Sequence, residues 1–355
     1  MVNLQDIIKL IESKKKSSFP WERQKPYDQE YYTYSANSNT WQSSGSGHSL
    51  TAPKTTVPPP LSFRVLSWNI DFMLPYPNQR MQVALDHVHS LVGPSDSATA
   101  ATEPSIIFFN EMLVSDLTLI QAQTWIQQGY SITDIDNRFW ESGHYGTCTL
   151  VPKSLAISNV FRVHYEATKM ERDALLVDVD IGNGRVVTFC NSHLESLVAQ
   201  PPLRPEQVKT ASKYLHRANL VGGVMGGDFN AIEPFDRSLH SNNGLKDAFL
   251  ELGGKEDCDD AYTWGQMAPV HQRERFGCSR MDKLFFCGDI QVIDFQRFGY
   301  GVDVQQDSIR KVLMEDEGMD GGWVTDHLGV MASFKLRSIA DDKATAETDG
   351  IRLKI

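Results

Sequence analysis

The sequence predicts an α/β protein built from two mixed sheets packed face to face, with helices outside. Three observations carry this expectation. Strand and helix candidates alternate, but irregularly, which fits a sandwich better than a parallel barrel. Several strand candidates follow one another directly, as antiparallel neighbours do. Five of the apolar runs stop at once in a polar side chain able to handle metal or phosphate: Trp68-Asn69, Asn110-Glu111, Ser192-His193, Asp228 with Asn230, and Asp326-His327.

Residues 1–60 do not read as core. Leu4, Ile7, Ile8 and Ile11 have helical spacing, and Lys14-Lys15-Lys16 closes that segment. The aromatic group Trp21, Tyr27, Tyr31, Tyr32 and Tyr34 is expected to dock on the parent domain or to bind an unknown protein. Residues 35–60, ending Val57-Pro-Pro-Pro60, have the composition of a linker. The compact domain is expected over 61–337. Arg64–Asn69 reads as a strand, and Gln79–Val92 as a helix with Met81, Ala84, Leu85, Val88, Leu91 and Val92 on one face. Arg80, at the start of that helix, reads either as a phosphate clamp or as a solvated side chain. Ile106–Phe109 is a continuous apolar strand, and a helix is expected from Leu117 to Gln128. Further strands are read at Thr147–Val151, Leu175–Val179, Val186–Cys190, Gly222–Met225, Lys283–Phe286 and Leu328–Phe334. A helix starts at Pro205, a favoured first position. Residues 338–355 read as a polar tail.

Bulk properties narrow the class. No apolar run approaches the length of a membrane span. The first residues lack the basic-then-apolar layout of a secretory signal, so an intracellular protein is expected. Cys148, Cys190, Cys258, Cys278 and Cys287 include no Cys-x-x-Cys pair, which argues against a disulfide framework, a disulfide-linked partner and a cysteine zinc site. The net charge of −11 excludes a generic nucleic-acid binder but not a local basic cleft. Lys169, Arg172, Arg204, Lys209, Arg273, Arg280 and Lys283 all fall in the middle of the chain.

Each polar strand end alone is a turn or cap, because Asn and Asp terminate strands. Five together point to a shared pocket. The residue types point to metal-assisted phosphoryl transfer. That reaction needs charge neutralised on the phosphoryl oxygens, a water aimed in line, and help for the leaving oxygen. Magnesium takes one or two carboxylates and keeps several waters, so Glu111 suffices as principal ligand, with manganese as the alternative ion. Asp228 suits orienting the water, Asn230 holds it without added charge, and His327 and His193 donate to phosphoryl oxygens.

Trp68-Asn69, Asn110-Glu111, Ser192-His193-Leu194, Gly227-Asp228-Phe229-Asn230, Arg280-Met281-Asp282 and Asp326-His327 resemble, in order, the motifs of the endonuclease/exonuclease/phosphatase superfamily. The resemblance implies a four-layer α/β/β/α sandwich with one active site at the strand ends. Thr168-Lys-Met-Glu-Arg172, Asn191-Ser-His-Leu-Glu-Ser196 and Tyr262-Thr-Trp264 are similar to its tyrosyl-DNA phosphodiesterase branch. That implies DNA 5′ ends or DNA–peptide adducts as partners, and a nuclear or cytoplasmic location. It also implies roles by position. Glu111 would bind the metal, supported by Asn69 and Asp326. Asp228 and Asn230 would position water. His327, oriented by Asp282, would contact the phosphate. Ser192 and His193 would hold phosphate oxygens, and Trp264 would pack beside the site or face DNA. Two stretches depart from that branch: Ile232 stands where it carries an arginine, and Leu197-Val-Ala-Gln200 follows Ser196 where it carries another shortly after that element. An RNA end, abasic DNA or a phosphorylated small molecule therefore stays open as substrate, and a non-catalytic binding module is the remaining reading.

Overall fold

Residues 19–45, 62–93, 103–182 and 184–337 are described by the structure, a computed structural model. Three short strands come first, β1 (Pro26–Asp28), β2 (Tyr32–Ser35) and β3 (Thr40–Ser43). Strand β4 (Ser62–Asn69), helix α1 (Pro77–Val92) and strand β5 (Ser105–Met112) form a unit, followed by helices α2 (Val114–Ala122) and α3 (Thr124–Gly129) and strand β6 (Tyr130–Ile132). Four strands then run consecutively: β7 (Gly146–Pro152), β8 (Ala156–His164), β9 (Asp173–Asp180) and β10 (Val186–Ser192). Helix α4 (Arg204–Leu215) crosses to β11 (Leu220–Asp228). The rest comprises β12 (Lys246–Asp247), α5 (Ala248–Glu251), α6 (Val270–Phe276), β13 (Asp282–Gly288), β14 (Ile290–Phe298), α7 (Asp307–Glu315) and β15 (Gly329–Leu336).

One sheet has the order β1-β8-β9-β10-β11-β13-β12 and the other β14-β15-β4-β5-β7-β6-β2-β3. Only β4/β5 and β10/β11 run parallel, each bridged by a helix as a parallel pair requires. Phe63, Val65, Phe108, Val177, Phe189, Val224, Phe286 and Phe334 fill the space between the sheets. Leu66, Trp68, Ile107 and Phe109 point the other way and pack under α1 through Met81, Leu85 and Val88. Leu176, Cys190, Met225 and Phe285 pack under α4 through Val208, Ala211 and Leu215. Period-two alternation along β4 and β11 thus serves two apolar layers at once, and the expected four-layer α/β/β/α sandwich results.

Several details differ from the expectation. The helix read over 117–128 is two helices, because Gln123 is extended (φ −71°, ψ 120°). Strands β8 and β14 went unread: β8 is apolar only in its second half, and β14 is an edge strand that alternates Asp294 and Gln296 with its apolar residues. Residues 26–43, read as part of an extension, pair into both sheets, β1 with β8 and β2 with β6. Docking of the aromatic group on the parent domain therefore takes the form of strand addition, and Trp21 stacks on the buried His164 with ring centroids 4.0 Å apart. The expected helix over 4–11, the Pro58–Pro60 end of the linker and the tail 338–355 lie outside the described residues. All five cysteines are free thiols. Among the described residues no helix is long and apolar enough to cross a membrane.

Candidate active site

The two parallel pairs end at the same place, and residues at or just beyond their ends, Asn69, Glu111, His193 and Asp228, come together there. Close approach of β11 to the end of its neighbour β10 depends on glycine. A Cβ on Gly227 would sit 1.9 Å from the Ser192 carbonyl oxygen, and the residue has φ +144°. That fit lets the Asp228 backbone N–H donate to Asn110 Oδ1 at 2.8 Å, while Asn110 Nδ2 donates to Asn191 Oδ1 at 2.7 Å. The two buried amides stitch the sheets together beneath the site.

Asp228 is the hub. Its Oδ1 accepts the Asn230 backbone N–H at 2.8 Å and its Oδ2 accepts Asn69 Nδ2 at 3.0 Å. His193 Nε2 lies 3.3 Å and His327 Nε2 3.8 Å from the same Oδ2. Burial opposes charge on this carboxyl, but His327, His193 and the Asn230 N–H outweigh it and hold the pKa far below the carboxylate range. Asp228 is therefore an ionised acceptor, better suited to aiming a water than to taking its proton.

The two histidines carry different charge. Burial and the adjacent Arg172 guanidinium push His193 down to about 4, so it is neutral near pH 7. Arg172 Nη1 lies 2.5 Å from His193 Nδ1. A guanidinium only donates, so Nδ1 accepts and the ring proton sits on Nε2, facing Asp228 and Glu111 Oε1, the latter 3.6 Å away. The His193–Asp228 contact is thus a hydrogen bond rather than an ion pair. At His327 burial again works against charge, but Asp282, Asp228 and Asp326 raise its pKa well above 6.5. Its Nδ1 donates to Asp282 Oδ2 at 2.8 Å, which leaves Nε2–H for the cleft.

Glu111 sits where the β5/β7 ladder is irregular, in a left-handed conformation (φ 58°) that aims its carboxylate into the cleft. Asp71 and Asn230 are left-handed too, at φ 54° and 47°. Backbone strain is thus concentrated at the site. Glu111 Oε2 accepts the Phe72 backbone N–H at 3.2 Å, Phe72 stacks on Tyr145 at 4.5 Å, and the Arg172 guanidinium lies 5.0 Å from the Tyr145 ring centre. Burial and the Asp71 charge push Glu111 up to about 8 and Asp326 up to about 6. Glu111, Asp326, Asp71 and His327 line a cleft of about 220 Å³ with Met73, His271 and Glu317.

This is excess negative charge around oxygen donors, the environment a hard divalent cation relieves. Ligand atoms of Glu111, His193 and Asp228 all lie within 4.8 Å of one another. The equally tight Asp228, Asp282 and His327 group is a hydrogen-bonded relay around an imidazolium, not a ligand set. The donors gathered around Glu111 fit a divalent cation.

The sequence signature described as the Endonuclease/Exonuclease/phosphatase family matches residues 66–327. The chain belongs to the endonuclease/exonuclease/phosphatase family. No curated protein matches the whole sequence closely enough to add to this. Solved structures of the family share the fold. A humanized D. rerio TDP2 (tyrosyl-DNA phosphodiesterase 2) superposes with a TM-score of 0.58 at 18% identity, covering 78% of this chain and 100% of that one. Truncated Caenorhabditis elegans TDP2 gives 0.57 at 22% identity, covering 77% and 97%. The human Nocturnin catalytic domain with bound sulfate gives 0.51 at 16%, covering 79% and 97%.

Nine of the ten residues singled out from the family motifs meet at this cleft or directly behind it. Asn69 turns its amide to Asp228 and its Oδ1 to the Asp71 N–H at 2.9 Å, so it orients the carboxylates. Trp264 is buried and donates from Nε1 to Asp326 Oδ2 at 2.7 Å, so it packs beside the site instead of facing a DNA strand. Ser192 stands apart. Its fully buried hydroxyl donates to the Asp173 carbonyl at 2.8 Å and meets Tyr165 Oη at 2.8 Å, which corrects its reading as a phosphate contact. Arg80 is neither a clamp nor solvated. It is fully buried and donates to the carbonyls of Ile70, Asp71, Leu74, Pro75 and Val324, fixing the loops that carry Asp71 and Asp326. Asp71 was missed altogether. Its only signal was a third carboxylate two residues past a strand end already marked by Asn69.

Proposed function

We propose that this protein is a magnesium-dependent phosphodiesterase that releases tyrosyl or related adducts from DNA 5′ ends. The observation that carries the hydrolytic reading is the set of opposed charge states around one carboxylate: an ionised Asp228, with a neutral His193 and a charged His327 each within 4 Å of its Oδ2. Asp228 and Asn230 aim the attacking water. His193 Nε2–H holds Asp228 in place, and His327 Nε2–H donates to a phosphoryl oxygen, where negative charge grows in the transition state. Asp282 keeps His327 oriented and charged. Glu111 and Asp326 would hold the cation, which supplies charge neutralisation on the phosphate.

The DNA substrate is supported by the Thr168–Arg172 and Tyr262–Trp264 motifs and by one relative, D. rerio TDP2, solved with a single-strand DNA product. A nuclear site of action rests on the same resemblance and on Lys14–Lys16. A second reading, a phosphoesterase of this family acting on another substrate, is favoured by the exposed apolar Leu197 and Ile232 on the loops that follow His193 and Asn230. A magnesium-supplemented panel of 5′-tyrosyl DNA, abasic DNA, single-stranded RNA, a phosphoinositide head group and sphingomyelin separates the two. Cleavage of the tyrosyl substrate first is expected, and its absence with cleavage of another member replaces the leading reading by the second.

A further inference from the structure

The family signature begins at residue 66, but residues 19–29, ahead of it, pack against the supports of the catalytic residues. Trp21 covers His164, whose Nδ1 lies 3.6 Å from Glu141 Oε2 and 3.5 Å from Asp173 Oδ2. Arg23 reaches the same place. Its Nη1 donates to the Tyr165 carbonyl at 3.0 Å and its Nη2 to Glu141 Oε1. The Arg23 side chain is 31% exposed, whereas that of Glu141 is fully buried. Gln29, also buried, accepts Arg162 Nε at 2.9 Å, and Arg162 Nη1 donates to Asp173 at 2.9 Å. Other bonds fix the segment itself. The Gln24 N–H donates to the His164 carbonyl at 2.8 Å, Gln24 Oε1 accepts Thr210 Oγ1 at 2.8 Å, and β1 pairs with β8.

Glu141 lies in a loop braced as one piece. Trp140 packs against Gly146, where a Cβ would fall 2.2 Å from the indole, and its Nε1 donates to the Thr147 carbonyl at 3.1 Å. Between them Ser142 Oγ accepts the N–H groups of His144 and Tyr145 at 3.2 and 3.4 Å. A displacement at Glu141 is therefore passed to Tyr145. That ring stacks on Phe72, whose N–H holds Glu111, and its hydroxyl donates to the Met170 carbonyl at 2.6 Å. Its face lies against the Arg172 guanidinium that holds His193 Nδ1. Removing Arg23 takes a cation from a buried carboxylate that shares His164 with Asp173. Like charges so placed favour an outward shift of the loop.

We infer that Arg23 is a positioning residue: it holds the 140–147 loop and, through Tyr145, sets the Arg172–His193 contact and the Phe72 amide on Glu111. The site thereby includes a part that lies outside the family signature. Only the effect on rate rests on the phosphodiesterase reading; the effect on His193 does not.

Arg23→Ala and Arg23→Lys test this beside a control, Trp41→Ala. Trp41 docks β3 of the same segment on α2, donating from Nε1 to the Gln121 carbonyl at 3.2 Å, so its loss weakens the segment without releasing Glu141. Nitrogen NMR of histidine-labelled, magnesium-free protein reads the tautomer of His193, with His193→Gln assigning its signals. The wild type should show the proton on Nε2 alone. Arg23→Ala should mix the two tautomers, so that the two ring-nitrogen shifts converge, and Arg23→Lys should keep them apart. Trp41→Ala should lower the melting temperature and leave the shifts in place. With magnesium and bis-p-nitrophenyl phosphate, Arg23→Ala should lose about tenfold or more in kcat/KM at a temperature where it is fully folded, and Arg23→Lys should regain most of it. His193 shifts in Arg23→Ala identical to those of the wild type overturn the inference, as does an equal change in Trp41→Ala. If the wild type does not cleave the ester, the phosphodiesterase reading fails on its own account, and the nitrogen shifts still decide the role of Arg23. If Arg23→Ala does not fold, Glu141→Gln, which keeps the shape of the partner and removes its charge, is read in the same way.

Discussion

Replacing Glu111 by glutamine should stabilise the cation-free protein while abolishing turnover. The carboxyl is pushed up to about 8 from an ordinary 4.5, by burial and by Asp71 and Asp228. An acid whose folded pKa is raised is favoured by the fold in its protonated form. Its contribution is therefore intact below pH 4.5 and is lost progressively as the pH rises towards 8. At about 1.4 kcal/mol per unit, a shift from 4.5 to about 8 costs the cation-free fold at most about 5 kcal/mol once the carboxyl is ionised, and relaxation of the cleft brings this to roughly 1–3 kcal/mol. Glutamine keeps the shape and removes the charge. In EDTA at pH 8 the variant should melt roughly 2–6 °C above the wild type, and at pH 5 the two should nearly coincide. Magnesium should then raise the wild-type melting temperature and leave the variant almost unmoved, because a ligand stabilises only the state that binds it. Turnover should fall by at least about a hundredfold. Differential scanning fluorimetry across pH, with and without magnesium, reads all of this. A variant that melts below the wild type in EDTA at pH 8, or that still gains stability from magnesium, refutes the assignment.

Three further outcomes follow from the hydrogen bonds. Asp228→Asn should lower kcat by about a hundredfold to ten-thousandfold with KM nearly unchanged, and a loss confined to KM would contradict a water-orienting role. Asp282→Asn removes the negative charge beside His327 Nδ1, so the His327 pKa falls towards its ordinary value. Since the imidazolium is the active form, the variant should lose activity on raising the pH from 6 to 8 while the wild type does not, as a kcat/KM profile would show. Trp264→Phe removes the donor to Asp326 Oδ2 and should weaken magnesium affinity by about tenfold to a hundredfold, measured by titrating activity against the cation.

What the sequence disclosed, and what it did not, divides along a physical line. The four-layer arrangement was legible because β4, β5, β10 and β11 are strongly apolar and each stops at a polar residue, so period and boundary agree. The convergence of Asn69, Glu111, His193 and Asp228 was legible because each stands where an apolar run stops. Strands β1 to β3 were not, since their partners are half-polar edges in which Tyr, Thr and Ser serve a sheet as well as a linker. Arg80 could not be placed because five carbonyls from two loops converge on it only after folding. Ser192 misled for the opposite reason. It stands beside His193 in sequence, but successive strand residues face opposite ways, so one enters the cleft and the other is spent inside.

The same alternation explains why reaction and substrate are separable in this chain. Each parallel pair, β4/β5 and β10/β11, must cross over through a helix, so its strand ends cannot be closed by a tight turn. They are left free to carry Asn69, Glu111, His193 and Asp228 into one cleft. Those positions are held by the sheets, by Gly227 and by the Asn110–Asn191 amides, and changing them disturbs the fold. The residues immediately beyond, Leu197 and Ile232, are held only by the Arg204–Asp236 pair on the surface loops. They are free to vary without cost to the core. A chain of this family can thus keep its hydrolytic set while exchanging cations for carbon at the rim. Substrate choice is accordingly to be sought in the loops beyond the strand ends, and the chemistry at the strand ends themselves.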